Sequence, residues 1–455
     1  MHRETSGPRT SGQVLGRLLF LRRLRVLTLA ASIRVSRLRA LVGGSIGNLV
    51  EWYDWYVYSA GALYFAPVFF PSGDQTAQLL KSAAIFAVGF FARPVGAWLM
   101  GLYADRAGRR AALALSVGMM CLGSLTIALT PGADRIGRGA AALLLLARLI
   151  QGLSLGGEYG ASATYLSEMA SRRHRGFWSS FSYVTLIGGQ LTALAVLIGL
   201  EHSLTSAQMR SFGWRVPFAI GAALALLAYL LRYRIEESES FTRAKAANQQ
   251  PLGVPHLMSH HRRETLIVLV LSAGGSLVFY IYATYMQKFL ANSAGFSRNA
   301  ASELSALTLC VFMLAQPLFG YLSDRLGRKP MIVTAFSGAT LLTYPLLSGI
   351  QASHSAYLAG TLIVIGILIQ SCYTSISAVF KAEMFPTAIR SLGVSLPYAL
   401  GNAAFGGTAE YVALWFKKAG IESGFYWYSS AVACASLIAA LAMRDTKRYS
   451  RILEG

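Results

Sequence analysis

GLYADRAGRR, residues 101–110, returns as GYLSDRLGRK at 320–329, 219 positions later. Both stretches follow the pattern G-x-x-x-D-R-x-G-R-[RK] and both close a long apolar run. Each part of the pattern has a physical use. Gly101 and Gly320 let a neighbouring helix approach, Asp105 and Asp324 can meet a positive helix terminus or an arginine, and the later glycines permit a tight turn before the basic pair. A second landmark recurs in the same order. SEMASRRHRG at 167–176 is matched by AEMFPTAIRS at 382–391, 215 positions on, and Glu168–Arg175 and Glu383–Arg390 have the same seven-residue separation. Two landmarks repeated in order, each after an even-numbered apolar run, imply a duplicated unit, the usual basis of alternating access. An ordinary topology-setting basic loop explains one copy far better than two.

The composition says what surrounds these landmarks. Of 455 residues 54% are apolar and only 13% charged, about half the charge of a soluble domain; an ordinary soluble enzyme is excluded. Twelve apolar runs follow, at 41–66, 80–103, 111–130, 140–167, 177–200, 214–234, 265–290, 301–322, 331–349, 356–380, 391–415 and 424–443. The expected fold is all-α, with twelve transmembrane helices in two six-helix bundles. The domains read as a basic segment 1–40, a first bundle 41–234, a central loop 235–264, a second bundle 265–443 and a tail 444–455. The net charge of +21 gathers in short loops after runs 2, 4, 8 and 10, which predicts a cytoplasmic-membrane protein with both termini in the cytoplasm. The same clustering favours contact with membrane lipid and argues against nucleic acid as the partner. Residues 1–39 carry nine arginines and one acid. They lack the single uninterrupted apolar core of a cleaved signal, and two readings stay open: a basic amphipathic helix on anionic lipid, or an over-extended gene start. Four cysteines scattered singly in apolar surroundings read as buried small side chains.

The repeated loop resembles the signature of the major facilitator superfamily, and Arg148 with Gln151 and Gly152, in ARLIQGLSLGG, resembles its fourth-span arginine motif. GNLVEWYDWYVYS at 47–59 narrows the resemblance to the metabolite:proton symporters, as do YATYMQKFLANSAG, YTSISAVFKAEMFP and FGGTAEYVAL. Within that family the similarity is greatest to porters of 2-oxoglutarate. It implies the major facilitator fold and proton-coupled symport of 2-oxoglutarate by alternating access, with citrate, shikimate or a zwitterionic osmolyte as alternative substrates. From other classes, a receptor or scaffold that has lost transport is disfavoured by the intramembrane charges. An enzyme is disfavoured by the lack of a nucleophile–base or metal-ligand cluster. No phosphate-binding GxxxxGK[ST] loop occurs, so ATP-driven pumping within the chain is excluded. No cofactor and no metal are expected. His256, His260 and His261 sit in the central polar loop without a set of fixed ligands.

Charges inside spans are costly and therefore candidates for function. Glu51 and Asp54 recur with Trp55 and Tyr58 at helical spacing, which places them on one side of the first helix, read as facing a central cavity. Either acid is a candidate proton carrier, with Asp54 preferred for its depth; a structural ion pair is the other reading. Arg93, beside Pro94, reads as the anchor of an anionic substrate or as the partner of Glu51 or Asp54. Arg148 suits proton coupling or conformational linkage. Tyr58, Gln190, Tyr280, Lys288 and Asn402 complete the candidate substrate site. Lys288 also reads as an interfacial lysine, with Glu410 a partner guessed from depth, and Lys381 reads as an inner-mouth cation or a topology signal. The gate on the arginine-rich face comprises Asp105, Arg109, Glu168, Arg175, Asp324, Arg328, Glu383 and Arg390. Small organic anion and protons are the expected partners, and a monomer the expected unit.

Overall fold

A computed structural model describes residues 47–107, 109–155, 172–233, 253–386 and 389–452. The basic amino-terminal segment and the side chains of Asp105, Arg109, Glu158 and Glu168 lie outside the described residues. Twelve long helices run through these stretches. In the first half they are α1 (47–69), α2 (Gln75–Ala107), α3 (Arg109–Leu129), α4 (Arg138–Leu155), α5 (Arg175–Ser203) and α6 (Arg215–Tyr233). In the second they are α7 (Arg262–Asn292), α8 (Arg298–Leu326), α9 (Arg328–Ala352), α10 (Ala356–Met384), α11 (390–418) and α12 (Ser423–Ala442).

Local chemistry sets several of the starts. The Asp74 carboxylate accepts the Ala77 N–H at 2.7 Å to begin α2, and Ser297 accepts the Ala300 N–H at 3.2 Å to begin α8. Both satisfy N–H groups that the first helical turn leaves over. Gly327 ends α8 with φ +106, a conformation open to glycine and strained for other residues. It is the tight turn that the repeated loop requires.

Seven of the described helices, α2, α5, α7, α8, α9, α10 and α12, are long and apolar enough to cross a membrane on their own composition. α1 carries Glu51 and Asp54 among aromatic residues. α6 meets its leading turn at a bend of 42°. Two helices are broken internally by π-turns, Ile281–Tyr285 in α7 and Asn402–Gly406 in α11. Large apolar side chains such as Trp98, Leu129, Leu314, Leu341 and Trp427 are more than 60% exposed. In water such a surface would aggregate; in lipid it is the solvated face.

Glycines set the closest helix contacts. A Cβ on Gly152 would lie 2.1 Å from the Gly89 carbonyl oxygen, so α2 and α4 touch backbone to backbone. Gly152 is the first of the four-spaced glycines at 152, 156 and 160; the other two lie outside the described residues. Across the two halves, Gly176 of α5 meets Gly320 of α8, where a Cβ on the former would sit 2.5 Å from the Gly320 carbonyl oxygen. Gly407 of α11 likewise leaves room for Phe90 of α2.

Candidate functional site

α1 divides its polar residues between two directions. Positions 54 and 55 differ by about 100° around a helix, and the structure uses the difference. Asp54, 1% exposed, turns into the first bundle. Its Oδ1 accepts from the Ser124 hydroxyl of α3, and its Oδ2 accepts from Gln151 Nε2 of α4 at 2.5 Å. Gln151 in turn accepts from Arg148 Nη1 at 2.8 Å and donates to Ser124 at 3.0 Å. The acid and the arginine thus communicate through one amide. This corrects the expectation that Glu51, Asp54, Trp55 and Tyr58 share one cavity-facing side, because a 3.6-residue turn cannot aim 54 and 55 alike. Tyr58 stays on the Trp55 side: both rings pack on Phe86 and under the Arg148 guanidinium, and the Tyr58 hydroxyl donates to the Ser82 carbonyl of α2 at 3.0 Å.

Trp55 faces the other way, into a box of rings. Its centroid lies 4.6 Å from that of Phe90 and 5.4 Å from that of Phe86. Both deep arginines of the first half lean on it. The Arg93 Cζ is 4.1 Å from the Trp55 centroid and 4.0 Å from that of Phe90, and the Arg148 Cζ is 3.7 Å from the Trp55 centroid. Arg93 and Arg148 are buried, and in each the Nε and Nη2 atoms find no hydrogen-bond partner among the described residues. The expected alternative of an Arg93–Asp54 ion pair does not form among the described residues: both Asp54 oxygens are engaged by Ser124 and Gln151. Donors of this kind, dehydrated and aimed past rings rather than at a carboxylate, are costly without an acceptor. A carboxylate is the acceptor whose two oxygens match the guanidinium fork.

Tyr280 closes the box from α7, its ring 5.4 Å from Phe90 and 6.3 Å from Trp52. It stands at the start of the α7 π-turn. Asn402 starts the π-turn of α11, and a Cβ on neighbouring Gly406 would meet both the Asn402 Oδ1 and the Tyr280 ring. The tyrosine hydroxyl and the Asn402 Oδ1 lack hydrogen-bond partners among the described residues. Gln190 of α5 donates to Thr284 of α7 at 3.5 Å and leaves its Oε1 unsatisfied. π-turns free backbone and re-aim side chains, and they recur at functional positions. Tyr282 and Tyr285 point elsewhere, the first against Gly366 and the second against Phe289 and Phe425.

Toward the face opposite the arginine-rich loops, two polar networks join the halves. Lys288 of α7 is fully buried, pairs with Glu410 of α11, and donates to the Ser59 hydroxyl of α1 at 2.7 Å. The Ser59 hydroxyl also contacts Glu410, at 3.2 Å. The interfacial reading of Lys288 is therefore corrected: its ammonium group is buried against Glu410 rather than held at a surface. Nearby, Glu201 of α5 accepts from Tyr64 at 2.6 Å and from Ser302 of α8 at 3.0 Å, and Gln287 donates to Ser302 at 2.9 Å.

The second copy of the loop closes the arginine-rich face. Asp324 accepts the backbone N–H groups of Gly176 and Phe177, at 2.8 and 2.9 Å, at the start of α5, and also Arg328 Nη1 at 2.9 Å. It meets a helix terminus and an arginine together, which the helix dipole and charge both favour. Arg175, buried, opens α5 beside these groups. Glu383 lies 3.6 Å from Arg328 Nε and accepts from Thr446 at 2.7 Å. Arg390 donates to the Ala382 and Phe385 carbonyls and, through Nη2, to the Arg451 carbonyl at 3.1 Å. Lys381, fully buried, donates to Ser377 at 2.9 Å and lies 4.3 Å from the centroid of Tyr398.

Residues 41–251 and 245–447 match the family described as sugar (and other) transporter. The chain belongs to the major facilitator superfamily. Its relatives place it among the metabolite:proton symporters. Alpha-ketoglutarate permease of Escherichia coli (strain K12) is 51% identical over 417 residues, covering 91% of this chain and 96% of the permease. Inner membrane metabolite transport protein YhjE of the same strain is 32% identical over 91% of the chain and 96% of its own length, and the citrate-proton symporter of Salmonella typhi is 30% identical over 91% and 95%. The xylose transporter XylE from E. coli, in a partially occluded inward-open conformation, superposes with a TM-score of 0.71 at 21% identity, covering 89% of this chain and 96% of that one. The fold is thus that of two six-helix bundles, and the protein is a multi-pass transporter of the cytoplasmic membrane rather than an enzyme.

For this superfamily member several contributors were not singled out from the sequence. Ser124 and Ser59 are ordinary serines of apolar runs, and Glu201 stands at the end of one; only its charge signalled it. The carboxyl-terminal Thr446 and Arg451 contact the loop motif through the fold alone. Cys310 is exposed and Cys121 and Cys434 are partly so, correcting their reading as buried; a thiol facing lipid loses little, being nearly apolar.

Proposed function

We propose that the chain carries 2-oxoglutarate inward together with protons, by alternating access between its two six-helix bundles. The observation that carries this reading is the ring-lined pair Arg93 and Arg148, whose Nε and Nη2 donors lack acceptors among the described residues while Asp54 is held one amide away. A dianion supplies acceptors for the guanidinium groups; Asp54 supplies a buried group that can take the proton. In this reading Arg93 binds a carboxylate, and Tyr280, Gln190 and Asn402 offer polar atoms to the remainder of the solute. Lys288 and Glu410 form an outer latch, and Asp324 with the start of α5 forms the inner one. The likeness to alpha-ketoglutarate permease supports the particular substrate.

A zwitterionic osmolyte fits less well. Proline/betaine transporter of E. coli (strain K12) is 27% identical, but the indole face that would receive a quaternary ammonium already carries two guanidinium groups. Both termini face the cytoplasm in this reading, residues 41–234 and 265–443 form the bundles, and the working unit is a monomer. The test is uptake of labelled 2-oxoglutarate into proteoliposomes with an inward proton gradient, challenged by unlabelled citrate, shikimate and betaine. Saturable uptake blocked by unlabelled 2-oxoglutarate and not by betaine is expected. Uptake of another solute, with none of 2-oxoglutarate, overturns the substrate.

A further inference from the structure

Among the described residues Trp55 is the one ring that lies against both Arg93 and Arg148, at 4.1 Å and 3.7 Å. It is 2% exposed and held edge-on by Phe86 and Phe90. A Cβ at Gly89 would lie 3.1 Å from its rim and 3.2 Å from the Arg148 carbonyl oxygen. The ring is therefore fitted against the backbone of α2 and α4, and it cannot slide without displacing an arginine. On its far side, Arg148 reaches Asp54 only through Gln151. No direct Arg148–Asp54 ion pair forms among the described residues, although the two charges feel one another.

The arrangement has an electrostatic consequence. Arg148 is the cation that acts on Asp54, and a cation favours the ionised form of a carboxylate beside it. An anion bound at the Arg93–Arg148 pair offsets the Arg148 charge, and a proton on Asp54 then costs less. Anion and proton would bind with positive cooperativity, the requirement for symport. That outcome depends on Arg148 staying off Asp54. If the two paired directly, the acid would stay ionised whatever happened at Arg93. Resting on the symport reading above, we propose that Trp55 is a positioning residue that couples the anion site to the proton site. It holds Arg148 away from Asp54 and in register with Arg93. The titratable groups facing Asp54 are Arg148, Tyr53 and Cys121; Arg93 and Glu51 both face Tyr280, and Arg93 also faces Arg148.

The test separates movement of the substrate from its coupling. Wild-type protein, Trp55→Leu and Trp55→Phe are reconstituted, and each is assayed twice with labelled 2-oxoglutarate: exchange against internal substrate without a gradient, and accumulation driven by a proton gradient. For Trp55→Leu, accumulation is expected to fall about tenfold further than exchange does. The pH dependence of its substrate affinity should flatten as well. Trp55→Phe, which keeps a smaller ring, should recover part of the accumulation and keeps the test decisive should the leucine variant fail to fold. Accumulation equal to wild type in both variants overturns the proposal. So does a parallel loss of exchange and accumulation in folded protein, since Trp55 would then only shape the substrate site. Wild-type protein inactive in both assays overturns the 2-oxoglutarate reading, and this proposal with it.

Discussion

Two pairs of buried arginines sit in the same chain and are held in opposite ways. Arg93 and Arg148 lie against Trp55, Phe90 and Tyr58, at 3.7 to 4.5 Å from ring centroids. Arg328 and Arg390, under the second loop copy, are held by Asp324, Glu383 and backbone carbonyls. A ring attracts a guanidinium from its face and leaves the N–H edge open to a ligand. A carboxylate occupies that edge and converts the arginine into part of a clasp. The difference separates a cation that can bind cargo from one that fastens the fold.

The comparison is most easily broken at Arg93. Arg93→Ala should lower 2-oxoglutarate uptake by about 100-fold or more, and Arg93→Lys should not restore it, because a point charge cannot reproduce the fork. Uptake within a few-fold of wild type in folded Arg93→Ala would move the anchor elsewhere.

Next in size is the outer latch. Lys288→Ala strands Glu410 in a buried site, which costs about 3–5 kcal/mol, whereas removing both partners costs less. Thermal unfolding in detergent should rank Lys288→Ala below the Lys288→Ala/Glu410→Ala pair. A double variant less stable than the single would contradict a simple latch.

Asp324→Asn tests the carboxylate-held side. It keeps the shape but weakens the charge-assisted bonds to α5 and Arg328, so uptake should slow by about tenfold with substrate affinity within about threefold, as for a gate rather than a site. A loss of affinity that matches the loss of rate would put Asp324 in the binding path.

The smallest effect belongs to Tyr58. Tyr58→Phe removes one neutral hydrogen bond to a carbonyl on α2, worth about 1 kcal/mol, and transport should stay within about threefold of wild type. A large loss of affinity would return Tyr58 to the substrate site.

How far these pairs were legible in the sequence follows from the same physics. The twelve helices were readable because apolar runs and arginine-rich loops are local, periodic signals, and the duplicated loop is visible as a repeat. Asp54, Arg93 and Arg148 stood out because a charge in an apolar run is rare. Their partners did not. Gln151 stood in the motif without an assigned bridging role, since only the folded distance between α1 and α4 makes its amide a link. The split between Asp54 and Trp55 was available from helix geometry, but its meaning needed the positions of α2, α3 and α4. The π-turns that start at Ile281 and Asn402 left no local mark that distinguishes them from ordinary helix.

Substrate-driven proton movement tests the central claim most directly. Adding 2-oxoglutarate to one side of lightly buffered proteoliposomes, with a pH-sensitive dye inside, should acidify the lumen in step with uptake of the labelled anion. In Asp54→Asn the acidification should vanish while exchange of the anion persists. Anion uptake by the wild-type protein without any proton movement would contradict the account.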